Sequence, residues 1–244
     1  MGNYMKNQYV GDIGDYTKLG MLRAIQAAGF SLGLNWYLTP NDGKTDGIHV
    51  NYLDKPCDTP DNELYYTLKA IVTAGSRSVA ELENRTLPSA TVFYNRMLDF
   101  SDFSDKKVFR NQWHNEALAV LQPQDVIFLD PDNGLEVKSC TPHSLNGNRY
   151  ATYQEAADYF RSGASVIIYN HRDRSPEDKY LERFLRFKDI AETENADFFY
   201  VRASRFSVRD YLFIAQNKHT LRLKASIDAM LKTGWNKYLS YRDF

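Results

Sequence analysis

Apolar residues recur at Leu19, Leu22, Ile25 and Ala28 across residues 15–28, a spacing that lines one face of a helix. Gly29 then supplies a stop. The next run, residues 34–38, is short and apolar, bounded by Gly33 and by Thr39-Pro40, and predicts a buried strand. Residues 39–63 are rich in breakers, with Pro40, Gly43, Gly47, Pro56 and Pro60 among them. A connection this long inside a folded domain usually carries function or conceals short elements. Helical patterns resume at 63–74 and 79–84, and 90–94 reads as a second strand. The second half alternates more regularly, with helices predicted at 110–121, 153–161, 176–194 and 221–231 and strands at 125–129, 164–169, 197–202 and 211–216.

Alternating strands and helices, with apolar runs of five or six residues, imply an α/β fold whose mostly parallel sheet is covered on both faces. The last two strands are joined by a short polar stretch and are expected to form an antiparallel C-terminal pair. A chain of 244 residues is long enough for one large domain. Residues 1–244 are read as a single α/β domain, with 40–88 as a small helical insertion.

Charge changes the picture little. The formal net charge is −1, which leaves no global attraction to nucleic acid or anionic membrane but leaves room for a local basic face. Two cysteines, Cys57 and Cys140, lie far apart and outside any C-x-x-C spacing. A disulfide framework or structural zinc is therefore not expected, and reduced thiols in the cytoplasm are. No apolar run approaches the roughly 18 residues of a membrane span, and the first residues lack the apolar core of a signal peptide.

The candidate chemistry centres on FLDPDNGLE. Asp130 follows the strand VIFL, and ligands of open α/β sheets bind beyond such carboxyl ends. Pro131 directs the chain away from the sheet, and Asn133-Gly134 supplies a turn tolerant of positive φ. Asp132 and Glu136 add two further carboxylates, and buried carboxylates need partners. The same residue types also serve as plain caps and turns. Asn170, His171, Arg172 and Arg174 end the next parallel strand and are expected on the same rim. His171 is a candidate general base, and Arg172 a candidate phosphate ligand. The stretch RASRFSVR sets Arg202, Arg205 and Arg209 around Phe206, a combination suited to stacking and phosphate contact, or to a solvated hairpin tip. After the first strand, Thr39, Asn41, Asp42 and Gly43 form a weaker candidate ligand loop, without G-x-G-x-x-G.

Three readings of this rim compete. One is S-adenosylmethionine-dependent methyl transfer, in which Asp130-Pro131 matches half of the Asp-Pro-Pro-aromatic turn of amino-methylating enzymes while Asp132-Asn133 departs from the rest. A second is metal-dependent phosphohydrolysis or nuclease chemistry, with Asp130, Asp132 and Glu136 as hard ligands for magnesium. FLDPDNGL also resembles the Asp-x-Asp motif of haloacid dehalogenase-like phosphatases, although those carry it on their first strand and without so long a preceding chain. The third is a binding module without catalysis.

Two stretches carry a wider resemblance: NQYVGDIGDYTKLGMLR with LNWYLTPNDGKTDG, and VIFLDPDNGLEVKS. They resemble a family of uncharacterised bacterial proteins with Gln-Tyr-x-Gly-Asp near the start and Phe-x-Asp-Pro-Asp-Asn-Gly-(Ile or Leu)-Glu in the middle. That likeness covers most of the chain and implies no activity. A looser one is to Rossmann-like, class I ribosomal-RNA adenine N6-methyltransferases, on the order of elements and the strand ending in Asp-Pro. It implies a nucleotide or nucleic acid base as partner, S-adenosylmethionine as cofactor, Asp130 as the catalytic acid and a methyl-donor loop near Thr39–Gly43, where the expected glycine pattern is absent.

Overall fold

Strand β3 (Val126–Leu129) shows how the apolar runs are used. Val126 and Phe128 enter one core, Ile127 and Leu129 the other. Alternate side chains of a strand point to opposite faces, so a strand covered on both sides has no polar face to show. The same division holds in β6 (Ser165–His171), where Val166 and Ile168 face one core and Ile167 the other. The computed structural model describes residues 5–40, 49–54 and 59–244.

The fold is α/β. Its central sheet has seven strands, adding β1 (Leu32–Asn35), β2 (Val92–Tyr94), β7 (Asp197–Ala203), β8 (Arg209–Ala215) and β9 (Leu239–Asp243), in the order β2-β1-β3-β6-β8-β7-β9. Strands β2, β1, β3 and β6 pair in parallel. Strand β8 runs against both β6 and β7, and β9 runs against β7. Five of the seven strands therefore share one direction, and the expected antiparallel pair appears as β7–β8. A separate two-stranded sheet joins β4 (Gly134–Leu135) to β5 (Tyr150–Ala151).

Helices α1 (Ile13–Ala27), α2 (Asn62–Thr73), α3 (Val79–Arg85) and α7 (Asn217–Leu231) supply one core, through residues such as Leu22, Leu68, Leu82 and Ile227. Helices α4 (Lys106–Leu121), α5 (Tyr153–Arg161) and α6 (Glu177–Leu185) supply the other, through Trp113, Tyr159 and Phe184. Helices α2 and α3, which lie within the 40–88 stretch, thus share a core with α1 and the sheet. Among the described residues no helix is long and apolar enough to cross a membrane.

Several elements differ from the sequence reading, which had no strand at β4 or β5. The first strand ends at Asn35 rather than Leu38, because the Asn35 carboxamide accepts the Tyr37 N–H at 3.2 Å and Tyr37 turns left-handed at φ 47°. The helix expected over 176–194 stops at Leu185. A 3-10 turn over Arg186–Asp189 follows and buries Phe187 against Tyr153, ring centroids 4.9 Å apart. Strand β9 has a mixed, half-exposed sequence, LSYRD, and gave no strand signal; it is an edge strand held by β7.

Candidate functional site

Asp130 extends the β1–β3 ladder by one bond, its N–H donating to Asn35 O at 2.9 Å. Its side chain is almost wholly buried, at 2% exposure. A buried carboxylate needs a cation, and α1 supplies one: Lys18 Nζ lies 3.0 Å from Asp130 Oδ2 and 2.8 Å from Asp15 Oδ1. Burial opposes the charge on Lys18, but Asp130 and Asp15 outweigh it and hold the ammonium above the ordinary lysine range. The ammonium also stands 5.0 Å from the Trp36 ring. Asp15 Oδ2 accepts the Gly11 N–H, and Asp12 caps α1 by accepting from Gly14 and Asp15 N–H. The two stretches flagged separately in the sequence therefore meet, and Lys18 is the residue that joins them. Its sequence signal was a lysine three residues after Asp15 and four before the buried Leu22.

The rest of the turn is fixed bond by bond. The Thr39 hydroxyl donates to Asp132 Oδ2 at 3.1 Å, linking the segments that leave β1 and β3. Pro131 is buried. Asn133 N–H donates to Arg149 O, and Asn133 O accepts from His171 N–H. Leu135 N–H donates to Asn170 Oδ1 at 2.8 Å, while Asn170 Nδ2 donates to His171 O and to the Tyr180 hydroxyl. Glu136 Oε1 accepts Tyr153 N–H at 2.8 Å and so serves the start of α5. Asp130, Asp132 and Glu136 thus turn to three different partners. Among the described residues no group of three or more His, Cys, Asp or Glu side chains is placed to hold a metal ion.

Gly134 has φ 113°, and a Cβ there would overlap the Asn170 carboxamide. Gly134→Ala is expected to lower stability by about 1–3 kcal/mol, the usual range for strained backbone, with Asn170 displaced as well. The urea midpoint measures this; an unchanged midpoint would mean that the turn relaxes freely.

At the end of β6, His171 is exposed, and its Nε2 lies 3.0 Å from the Tyr169 hydroxyl. Arg209 faces His171 across the β6–β8 ladder and lies against Gly14. Burial pushes the Asp12 carboxyl up, Asp15 adds to this, and Arg209 opposes it. Arg174 is exposed, whereas Arg172, Arg202 and Arg205 are engaged within the protein. Arg172 pairs with Glu177 at 3.0 Å and stacks 4.3 Å from the Tyr180 ring. Arg202 binds Asp210 through two bonds, of 2.8 and 2.9 Å, and also reaches Glu177. Arg205 donates to Lys237 O and stacks on Tyr238. Phe206, at φ 67°, stays exposed at the hairpin tip against His49.

A second buried pair builds the wall beside Asp132. Arg110 binds Glu155 at 2.7 and 2.9 Å and donates to the carbonyls of Pro142, Gly147 and Tyr150. Tyr37 OH donates to the same Glu155, which also closes a capping box with Thr152. Burial alone raises the Glu155 carboxyl, yet Arg110 brings it down to about 2. The loop fixed in this way borders two clefts. The smaller, about 220 Å³, is lined by Thr39, Pro40, Phe100, Leu145 and Arg149 among others. The larger, about 620 Å³, is lined mainly by hydroxyl and amide side chains, again with Arg149. Thr39 is buried at the first cleft. Asn41, Asp42 and Gly43, the remaining members of the expected ligand loop, lie outside the described residues, as does Cys57.

Thr39, Asp132, Asn133 and Arg149 therefore come together beyond β1 and β3. Asp130, Lys18, Asp15 and Asp12 form a neighbouring charged group under α1, and Arg205 is drawn away to the 235–237 turn. No protein-family model, curated protein or solved structure matches the chain.

Proposed function

We propose that the chain is a Rossmann-like, class I methyltransferase-like protein that binds S-adenosylmethionine in the crevice beyond β1 and β3 and acts on a nucleotide or nucleic acid base. The observation that carries this is the reversal at β1. The chain leaves β1 for β2 on one side and later enters β3 on the other. Connections that part in this way open a crevice at the carboxyl ends of the strands, where α/β sheets bind ligands. The Thr39–Asp132 hydrogen bond spans it, and the smaller cleft opens alongside. The residues lining it suit a nucleoside: the Asp99 carboxylate and the Thr39 and Ser101 hydroxyls for sugar oxygens, and Pro40, Phe100 and Leu145 for a ring. S-adenosylmethionine bound there would supply the methyl group. Asp130, paired with Lys18, acts from beneath as a fixed electrostatic anchor, and His171 is the exposed base on the neighbouring strand.

Calorimetric titration with S-adenosylmethionine tests the reading. Binding is expected below millimolar concentration and is expected to weaken at least about tenfold, or ~1.4 kcal/mol, in Asp99→Ala, whose carboxylate lines the cleft. Absence of heat at millimolar ligand would sink it. A second reading, binding without catalysis, is favoured by the burial and ion pairing of Asp130. It predicts ligand binding with no methyl transfer to any nucleotide acceptor.

A further inference from the structure

Arg209 is a buried cation, 4% exposed, that the protein leaves short of acceptors. Its Nη2 donates to the Ser207 hydroxyl, its Nε is enclosed without a hydrogen-bond partner, and its Nη1 lies against the first turn of α1. Asp12 and Asp15 attract it without forming an ion pair. Asp12 caps α1 instead, and Asp15 holds Lys18 and the Gly11 N–H. A guanidinium taken out of water needs acceptors. Among the described residues that of Arg209 makes one hydrogen bond, where the equally buried Arg110 makes five.

The chain makes room for this group. Gly14 is helical, and a Cβ there would stand 1.8 Å from Arg209 Nη1. Glycine weakens a helix relative to alanine, so its use here is tied to the guanidinium that it admits. Of the three nitrogens only Nε is both enclosed and unpaired, so Nη1 keeps an opening to solvent beside Gly14. Arg209 and Tyr211 face His171 and Tyr169 across the β6–β8 ladder, on the side of the sheet that α1 covers. Strand β8 lies two strands from β3, about 10 Å across the sheet. At the mouth stands Phe206, 59% exposed and at φ 67°, a backbone region that bulky residues rarely enter. Its ring lies 5.5 Å from that of His49, whose carbonyl accepts the Ile13 N–H and so ties the hairpin tip to α1.

Charge decides what this opening takes. Lys18 and Arg209 are two cations among three carboxylates, those of Asp12, Asp15 and Asp130. The group is negative already, and a phosphate would add like charge to it. A neutral ring with acceptors along one edge meets the guanidinium without that repulsion. We infer that Arg209 and Phe206 form a base-binding site, and that its ligand is a guanine of the acceptor. Phe206 stacks on the ring. Arg209 Nη1 and the Ser207 hydroxyl, which accepts from Nη2 and keeps its own proton to donate, serve the N7 and O6 acceptors. Adenine presents one acceptor and one donor on that edge and is mismatched. This deepens the function proposed above by naming the base and the end of the rim, beside His171, where it is held; it rests on that reading for the class of acceptor.

Titration of the full chain with guanosine and with adenosine decides the matter. Guanosine is expected to bind about tenfold or more tightly than adenosine, the discrimination that well-placed donors to N7 and O6 provide. Arg209→Lys keeps the charge but not the planar fork and is expected to abolish the preference. Gly14→Ala pushes Nη1 aside with Arg209 still present, and is expected to do the same. Phe206→Ala, at an exposed position, is expected to weaken both nucleosides alike, by about tenfold, and to leave their ratio unchanged. Equal binding of the two nucleosides, no binding of guanosine, or a preference that survives both Arg209→Lys and Gly14→Ala would overturn the inference. Displacement of guanosine by inorganic phosphate would mark an anion site and overturn it too. A parallel titration with S-adenosylmethionine separates the two proposals. Cofactor binding without a guanosine preference overturns this one alone; a guanosine preference without cofactor binding supports this site and overturns the methyl-transfer reading.

Discussion

Replacing Lys18 with methionine is expected to lower the unfolding free energy by about 3–5 kcal/mol, the range for removing one partner of a buried ion pair. Methionine roughly preserves the length and volume of the stem, so the loss reports the charge. The ammonium touches two carboxylates, Asp15 at 2.8 Å and Asp130 at 3.0 Å, and both are nearly buried. Without it, two negative charges remain in a poorly solvated space, each needing a proton or water. Adding Asp130→Asn to Lys18→Met removes one stranded charge and is expected to recover a substantial part of the loss. Asp130→Asn alone leaves Lys18 paired with Asp15 and is expected to cost less than Lys18→Met. Urea denaturation of the two single variants and the double variant gives the coupling directly. Additive effects would mean that the Lys18–Asp130 contact contributes nothing specific.

The second large effect is expected at Arg110. Arg110→Met strands Glu155 and leaves the carbonyls of Pro142, Gly147 and Tyr150 without their donor, again a loss of about 3–5 kcal/mol. Here the pH dependence has a definite sign. Glu155 is held down to about 2 in the folded protein, against an ordinary value of 4.5. A depressed carboxylate contributes stability that is complete above its unfolded pKa and disappears as pH falls through its folded one. Without Arg110, burial raises the Glu155 carboxyl above 4.5, so the difference between wild type and Arg110→Met is expected to start shrinking as pH falls through that raised value and to go on shrinking until pH nears 2. Hydrogen exchange gives a local readout, with amides of 136–150 opening far sooner in the variant. Unchanged protection of that segment would mean that the loop does not depend on the buried guanidinium.

Much of the fold was legible because the sheet is covered on both sides. Strands such as VIFL and ASVIIY have no solvent face, so their apolar runs stand out, and β9 escaped notice because an edge strand carries half-polar sequence. The turn at Asp130 was legible for a related reason: a strand end followed by Pro131 and Asn133-Gly134 is punctuation that local sequence carries. What local sequence does not carry is who meets whom. Lys18 stands 112 positions from Asp130, and nothing near either names the other. Arg172 and Arg202 read as ligand-binding cations until Glu177 and Asp210 are brought beside them. Arg110 sits in a helix of mixed polarity, KKVFRNQWHNEALAVL, and only the tertiary fold turns it inward to Glu155.

The placing of α1 bears on the order in which the molecule assembles. Its polar contacts reach Asp130 and, at a separation of 194 residues, Tyr211. Tyr16 packs 4.8 Å from the Trp235 ring, and Gly20 lies so close to the same indole that a Cβ has no room. At equilibrium such distance along the chain costs little, since each doubling of a closed loop adds only about 0.6 kcal/mol. In time it matters more. A ribosome has to add 194 residues after Thr17 before Tyr211 exists to meet it. Until then α1 can pack on β1 and α2, but its docking is completed late, when Tyr211 and Trp235 arrive.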